Sequence, residues 1–123
     1  MTPADKDIQN LSDRLGLIGP IHFPQDWGIC NANAGRTGEF IQVCRSEELT
    51  TPQQYAMGEL VLASMNEALE DGVTDAELVS KFKKFMTLDL HGLASQIRYW
   101  ASLANGEEFP ISGLIERELM TST

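Results

Sequence analysis

The chain has 123 residues, 42% of them apolar and 22% charged, a balance that suits one folded domain with its own core and excludes a disordered chain. Eighteen acidic side chains against nine basic ones leave a net charge of −9, which counts against direct nucleic-acid binding and against docking on an anionic membrane. No apolar run approaches the ~20 residues of a bilayer span and no basic-then-apolar leader opens the chain, so a cytoplasmic protein is expected.

No internal repeat, low-complexity tract or Pro/Gly/Ser linker divides the chain, and residues 1–123 are read as a single compact domain. Pro3 opens a short helix with Ile8, Leu11 and Leu15 on one face and Gly16 as its C-cap. Gly19-Pro20 then breaks the chain. Two extended stretches, 27–32 and 39–45, flank Asn33-Ala34-Gly35-Arg36-Thr37-Gly38. Aromatic and β-branched residues bounded by Gly and Asn predict a β-hairpin there. His22-Phe23 is the one candidate for a third strand, and Pro24 confines it to an edge.

Thr51-Pro52-Gln53-Gln54 supplies an N-cap hydroxyl, a first-turn proline and a glutamine able to reach back, starting a long helix to Asp71 with Gly72 as C-cap. Leu60-Val61-Leu62 spreads apolar surface over much of its circumference, which places this helix centrally. Thr74 and Glu77 form a capping box, Val73 staples onto Leu78, and Leu78, Phe82, Phe85 and Met86 face the core. A further helix carries Leu93, Ile97, Trp100, Ala101 and Ala104 and stops at Asn105-Gly106. Phe109-Pro110 begins a last short helix with Leu114, Ile115 and Leu119, capped by Ser112. With strands clustered instead of alternating with helices, the expected class is α+β, mostly α: a short N-terminal helix, one β-hairpin, then three to four helices.

Cys30 and Cys44 fall on the two expected strands. A three-residue loop sets them opposite each other, whereas a four-residue loop pairs Cys30 with Val43 and gathers the apolar residues on one face; patterning favours the second. Both are read as small core thiols, and without a Cys-x-x-Cys or Cys/His set neither metal nor cofactor is expected. His22, near Cys30, has no orienting acid in its stretch, and His91 is read as a cation at a helix C-terminus. Gly35 and Gly38 lack the Lys-Ser/Thr of a phosphate loop, so that stretch is a turn, with Arg36 at its tip a candidate recognition residue. Trp100 runs in phase with Leu93 and Ile97, which favours core packing over base stacking with Arg98 and Tyr99. Asn66, in mid-helix, fits either a core polar contact or a surface position.

The charge is unevenly spread: residues 1–46 carry −1, residues 47–73 carry −6, residues 74–104 carry +1 and residues 105–123 carry −3. Glu67, Glu70 and Asp71 crowd a helix C-terminus, where the macrodipole disfavours them, and ion pairs to the lysines of the next helix are the expected remedy. With no catalytic motif, the chain is read as a small acidic protein-binding domain and not an enzyme. It would be an inhibitor or immunity-type protein that neutralises a basic or nucleic-acid-handling partner protein. Glu47, Glu48, Glu59, Glu67, Glu70 and Asp71 are the leading interface candidates, followed by Glu107, Glu108 and Arg36. Two alternatives stand beside this. One is a small enzyme or ligand-binding domain with a site between hairpin and central helix, using His22, Cys30 and Glu39 or Glu59. The other is a homodimeric structural or adaptor protein sharing the apolar excess of residues 55–69 across a two-fold axis.

Overall fold

The computed structural model describes residues 2–20, 26–72, 75–103 and 109–121, the last three without their side chains. Among these residues the secondary structure is helical throughout: α1 (Pro3–Leu15), α2 (Trp27–Cys30), a 3-10 turn (Ala34–Arg36), α3 (Thr37–Ser46), α4 (Thr51–Glu70), α5 (Ala76–Phe85), α6 (Leu93–Ser102) and α7 (Pro110–Thr121). No strand is present among them, so the α+β expectation is corrected to an all-α fold. His22-Phe23, the expected edge strand, lies outside the described residues.

The expected hairpin is two helices and a turn, and local chemistry explains why. The run Phe40-Ile41-Gln42-Val43-Cys44 is compatible with either period, because short apolar runs do not separate strand from helix. With Thr37 it buries positions 37, 40, 41, 43 and 44, a helical stripe. The Asn33 side chain accepts from the Gly35 N–H at 3.0 Å, and the Thr37 hydroxyl donates to Ala34 O at 2.9 Å. These residues start a helix instead of turning the expected hairpin. Cys30 is consequently exposed at the end of α2 and Cys44 is buried on α3, both free thiols. Burial pushes the Cys44 thiol up to about 12.

Three helix starts also shift. Thr50, not Thr51, caps α4, in a reciprocal box with Gln53. Asp75 caps α5 by accepting from the Glu77 N–H at 3.0 Å, while Thr74 and Val73 lie outside the described residues. Ser112 lies inside α7, and Asn66 of α4 accepts from the Ile111 N–H at 3.2 Å, so the mid-helix asparagine is a core polar contact. The expected end of α6 at Asn105-Gly106 is outside the described residues; α6 runs to Ser102. Gly16, at φ 69°, closes α1 as expected.

α4 is the axis. Twelve of its twenty residues are buried, and α1, α2, α3, α6 and α7 all pack on it, as its wide apolar arc requires. α5 packs mainly on α3, placing Phe82 and Phe85 in the core as a stacked pair with centroids 5.8 Å apart. Buried polar side chains tie the helices and their connecting segments together. Trp27 Nε1 donates to Ser12 Oγ at 2.8 Å, the Asn33 N–H donates to Ser64 Oγ at 3.0 Å, and Gln53 Nε2 donates to Asp7 O at 2.8 Å. Asn31 clasps the Ile18 peptide, accepting from its N–H and donating to its carbonyl. The Asn31 and Ser64 bonds satisfy partly buried backbone groups of the connecting segments, and the Ser12 bond satisfies the buried indole N–H.

Candidate functional site

Tyr55, Glu59, Ala63, Asn66, Glu67 and Glu70 recur at helical spacing and form one stripe along α4, spanning about 22 Å at 1.5 Å per residue. This stripe is the floor of an open groove. α2 and the residue pair after it form one wall through Ile29 and Ala32, and α6 forms the other through Gln96, Tyr99 and Trp100. Two adjoining depressions of about 380 Å³ each lie along it and share Ile29, Tyr99 and Trp100. Phe109, edge-on to Trp100 with centroids 5.4 Å apart, borders the far end.

Four large apolar side chains stand exposed among the described residues: Ile18 (46%), Ile29 (56%), Tyr55 (48%) and Tyr99 (63%). Three of the four line this groove, which makes it an apolar concentration and not a scatter. Their placement follows from local packing. The Tyr55 ring lies over Gly92, where any Cβ would come within 2.4 Å of it. Gln96 Nε2 donates to Tyr55 O at 2.9 Å, and its amide end lies on Gly58, fixing α6 against α4. Tyr99 is off the face that carries Leu93 and Ile97 into the core, so it projects to solvent.

The floor is acidic. Glu59 accepts from the N–H groups of Gly28 (3.0 Å) and Ile29 (3.4 Å), joining α4 to the start of α2. Its carboxyl titrates above the usual range because burial disfavours the charge, with the two N–H bonds opposing the rise. Glu67 is also raised, by burial first and then by the neighbouring Asp71 and Glu70 carboxylates. Asn66 donates to Glu70 at 3.1 Å. The ion pairs expected from α5 to these acids are not formed: Lys81 pairs with Glu77 at 3.4 Å and Lys83 with Glu118 at 3.4 Å. Among the described residues, none of Glu59, Glu67, Glu70 and Asp71 has a cationic partner.

A pH dependence follows. Both raised groups bind protons more tightly folded than unfolded, so their contribution to stability is present below the ordinary glutamate range and is lost as pH rises through their folded values. Glu59→Gln/Glu67→Gln is therefore expected to be the more stable protein at pH 7, by a few tenths of a kcal/mol at these partly solvated sites. Thermal melts of both proteins from pH 4 to 7 check this: the advantage should vanish toward pH 4. An advantage that grows on acidification contradicts it.

Of the interface candidates, Glu59, Glu67 and Glu70 line the groove, and Asp71 follows at the α4 C-cap. Glu47 is apart from them, paired with Arg14 at 2.8 Å, and Glu48 is exposed in the segment before α4. Glu107 and Glu108 lie outside the described residues. Arg36 is no free tip: it pairs with Glu39 at 2.6 Å, donates to Leu15 O at 3.0 Å and stacks over Phe40. Glu39 is thereby held below its usual range by the Arg36 guanidinium. His22 is outside the described residues, and His91 is exposed in the turn before α6, its backbone N–H donating to Gln54 Oε1. No group of three or more His, Cys, Asp or Glu able to hold a metal ion occurs among the described residues, nor is any helix there long and apolar enough to cross a membrane. Residue-type reasoning missed Ile29, Tyr55 and Tyr99 as site residues, although Tyr99 shows its signal as a large aromatic out of phase with the core face of its helix. No family model matches the chain, and comparisons with curated proteins and with solved structures find no match.

Proposed function

We propose that the chain is a protein-binding domain whose acid-floored groove receives a cationic, apolar segment of a basic partner protein, neutralising the surface that the partner would otherwise present. The observation that carries this reading is the convergence on one groove of three exposed large apolar side chains and three carboxylates that have no cationic partner among the described residues. The apolar residues favour burial against a partner, while the acids define its sign and add a cost until a cation arrives. A second copy of the chain is a poor occupant, because two molecules of net charge −9 repel. Cations from a partner would relieve the repulsion among Glu67, Glu70 and Asp71 that the fold leaves standing.

The test uses a fluorescein-labelled amphipathic peptide of leucine and lysine, followed by anisotropy at about 20 and 150 mM salt, where screening differs strongly. Glu67→Gln/Glu70→Gln/Asp71→Asn is expected to bind about tenfold more weakly at the lower salt, with a flatter salt dependence. Glu47→Gln/Glu48→Gln, away from the groove, should bind as the parent does. Equal loss in both variants would mean that only net charge matters, and the reading would fall.

A further inference from the structure

Resting on the groove reading above, we infer that the occupant is a single amphipathic α-helix lying antiparallel to α4, its N-terminal end over Glu67 and Glu70 and its C-terminal end beside the start of α6. Two observations carry the helical form. The floor is a straight stripe of about 22 Å on one helix, the length of about four helical turns. Its backbone is hydrogen-bonded within α4, so the groove offers no ladder of free N–H and C=O groups. An extended segment lying there would leave its own backbone polar groups short of partners, whereas a helix satisfies them internally.

The direction comes from the polarity of the groove. Gln96, near the start of α6, bonds to Tyr55, near the start of α4, and Leu93 packs at Gly58. Leu103, after the end of α6, shares a depression with Glu67 and Glu70 at the end of α4. The two helices therefore run alongside each other in the same direction, and both carbonyl-rich ends, together with three acids, lie at one end of the groove. The opposite end holds Glu59, whose carboxylate is already engaged by the Gly28 and Ile29 N–H groups, and the N-terminal turn of α6, whose Gly92 cap has no side chain and whose first turn has no acid. A helix entering this field is favoured with its positive N-terminal end at the acids and its negative C-terminal end at α6's start.

The experiment is oxidative trapping in a Cys30→Ser background, where the remaining Cys44 is buried and does not compete. Peptides of about 15 residues, leucines on one face and lysines evenly spread along the other, carry one cysteine at either the N- or the C-terminus. At Glu70→Cys, the N-terminal-cysteine peptide is expected to form the mixed disulfide at least about fivefold faster than its counterpart; at Ser95→Cys the order should invert. Equal rates, or the opposite order at both positions, would overturn the antiparallel placement while leaving groove binding intact. Absence of binding by anisotropy, or binding unaffected by Ile29→Asp, would overturn the groove reading and the placement with it. A peptide that binds without gaining helical circular dichroism would overturn the helical form alone.

Discussion

Replacing Gly28 by alanine is expected to destabilise the protein by about 2–3 kcal/mol, a fall in Tm on the order of 10 °C for a chain of this length. α2 is one turn long and lies directly on α4. A Cβ at Gly28 would stand 2.6 Å from Glu59 Cγ and 2.8 Å from the Leu60 backbone nitrogen. Neither neighbour is the loose end of a flexible side chain, so relief requires α2 to move away from the axis helix. That movement lengthens both bonds from Glu59 to the Gly28 and Ile29 N–H groups and strains the Trp27–Ser12 bond beneath. Urea unfolding would show a lowered midpoint with little change in slope. Gly38→Ala provides the contrast: a Cβ there meets nothing within 4 Å, and position 38 lies in the first turn of α3. It should be neutral or stabilise by up to about 0.5 kcal/mol. If Gly28→Ala melts with the parent, the close docking of α2 is wrong, and with it one wall of the groove.

The site depends on that docking more than on any one side chain. Ile29 reaches the groove only because Gly28 lets α2 lie flat, and Glu59 holds the turn by its N–H groups. Glu59 thus has two roles in conflict: it anchors α2, and its half-buried charge is opposed by burial. An acid kept where neutral glutamine would be more comfortable is the kind of local cost that proteins carry at sites of function.

Much of the helical scaffold was legible in the sequence because it rests on local chemistry. Pro3 with Gly16, the arc of Leu60-Val61-Leu62, and the Phe82/Phe85 spacing led to helices and core residues that the structure contains. The expected hairpin is absent among the described residues: Asn33, Gly35 and Gly38 carry signals shared by turns and helix starts. What separates the two outcomes is the burial of Phe40, Ile41 and Cys44 against α4 and α5, a tertiary matter. Asn66 as a cap for α7 was similarly invisible, since the N–H it serves is 45 residues away. The acids of the groove were legible as charge, and Glu59, Glu67 and Glu70 were already interface candidates. Their convergence with Ile29 and Tyr99 was not, because it depends on two other helices flanking α4.

Truncating the aromatic and aliphatic anchors should be the sharpest functional test. Tyr99→Ala and Ile29→Ala are each expected to weaken binding of the cationic amphipathic peptide by about 30-fold, the equivalent of ~2 kcal/mol for a central interface residue. Both side chains are more than half exposed in the free protein, at 63% and 56%, so neither truncation removes much core. Their Tm values should stay within what ~0.5 kcal/mol allows, in contrast to Gly28→Ala. Phe82→Ala, deep in the core and away from the groove, should show the reverse: a loss of about 3–5 kcal/mol in stability and unchanged affinity wherever the protein remains folded. This separation distinguishes a shaped groove from a merely acidic surface. On a surface that works by charge alone, removing Tyr99 leaves affinity as it was, since the carboxylates are untouched. A groove that buries its occupant's apolar face loses the contact area that Tyr99 and Ile29 supply, and the loss appears mainly in the dissociation rate because the steering charges remain. Stopped-flow anisotropy of the two variants should accordingly give association rates close to the parent's and dissociation rates faster by most of the 30-fold change.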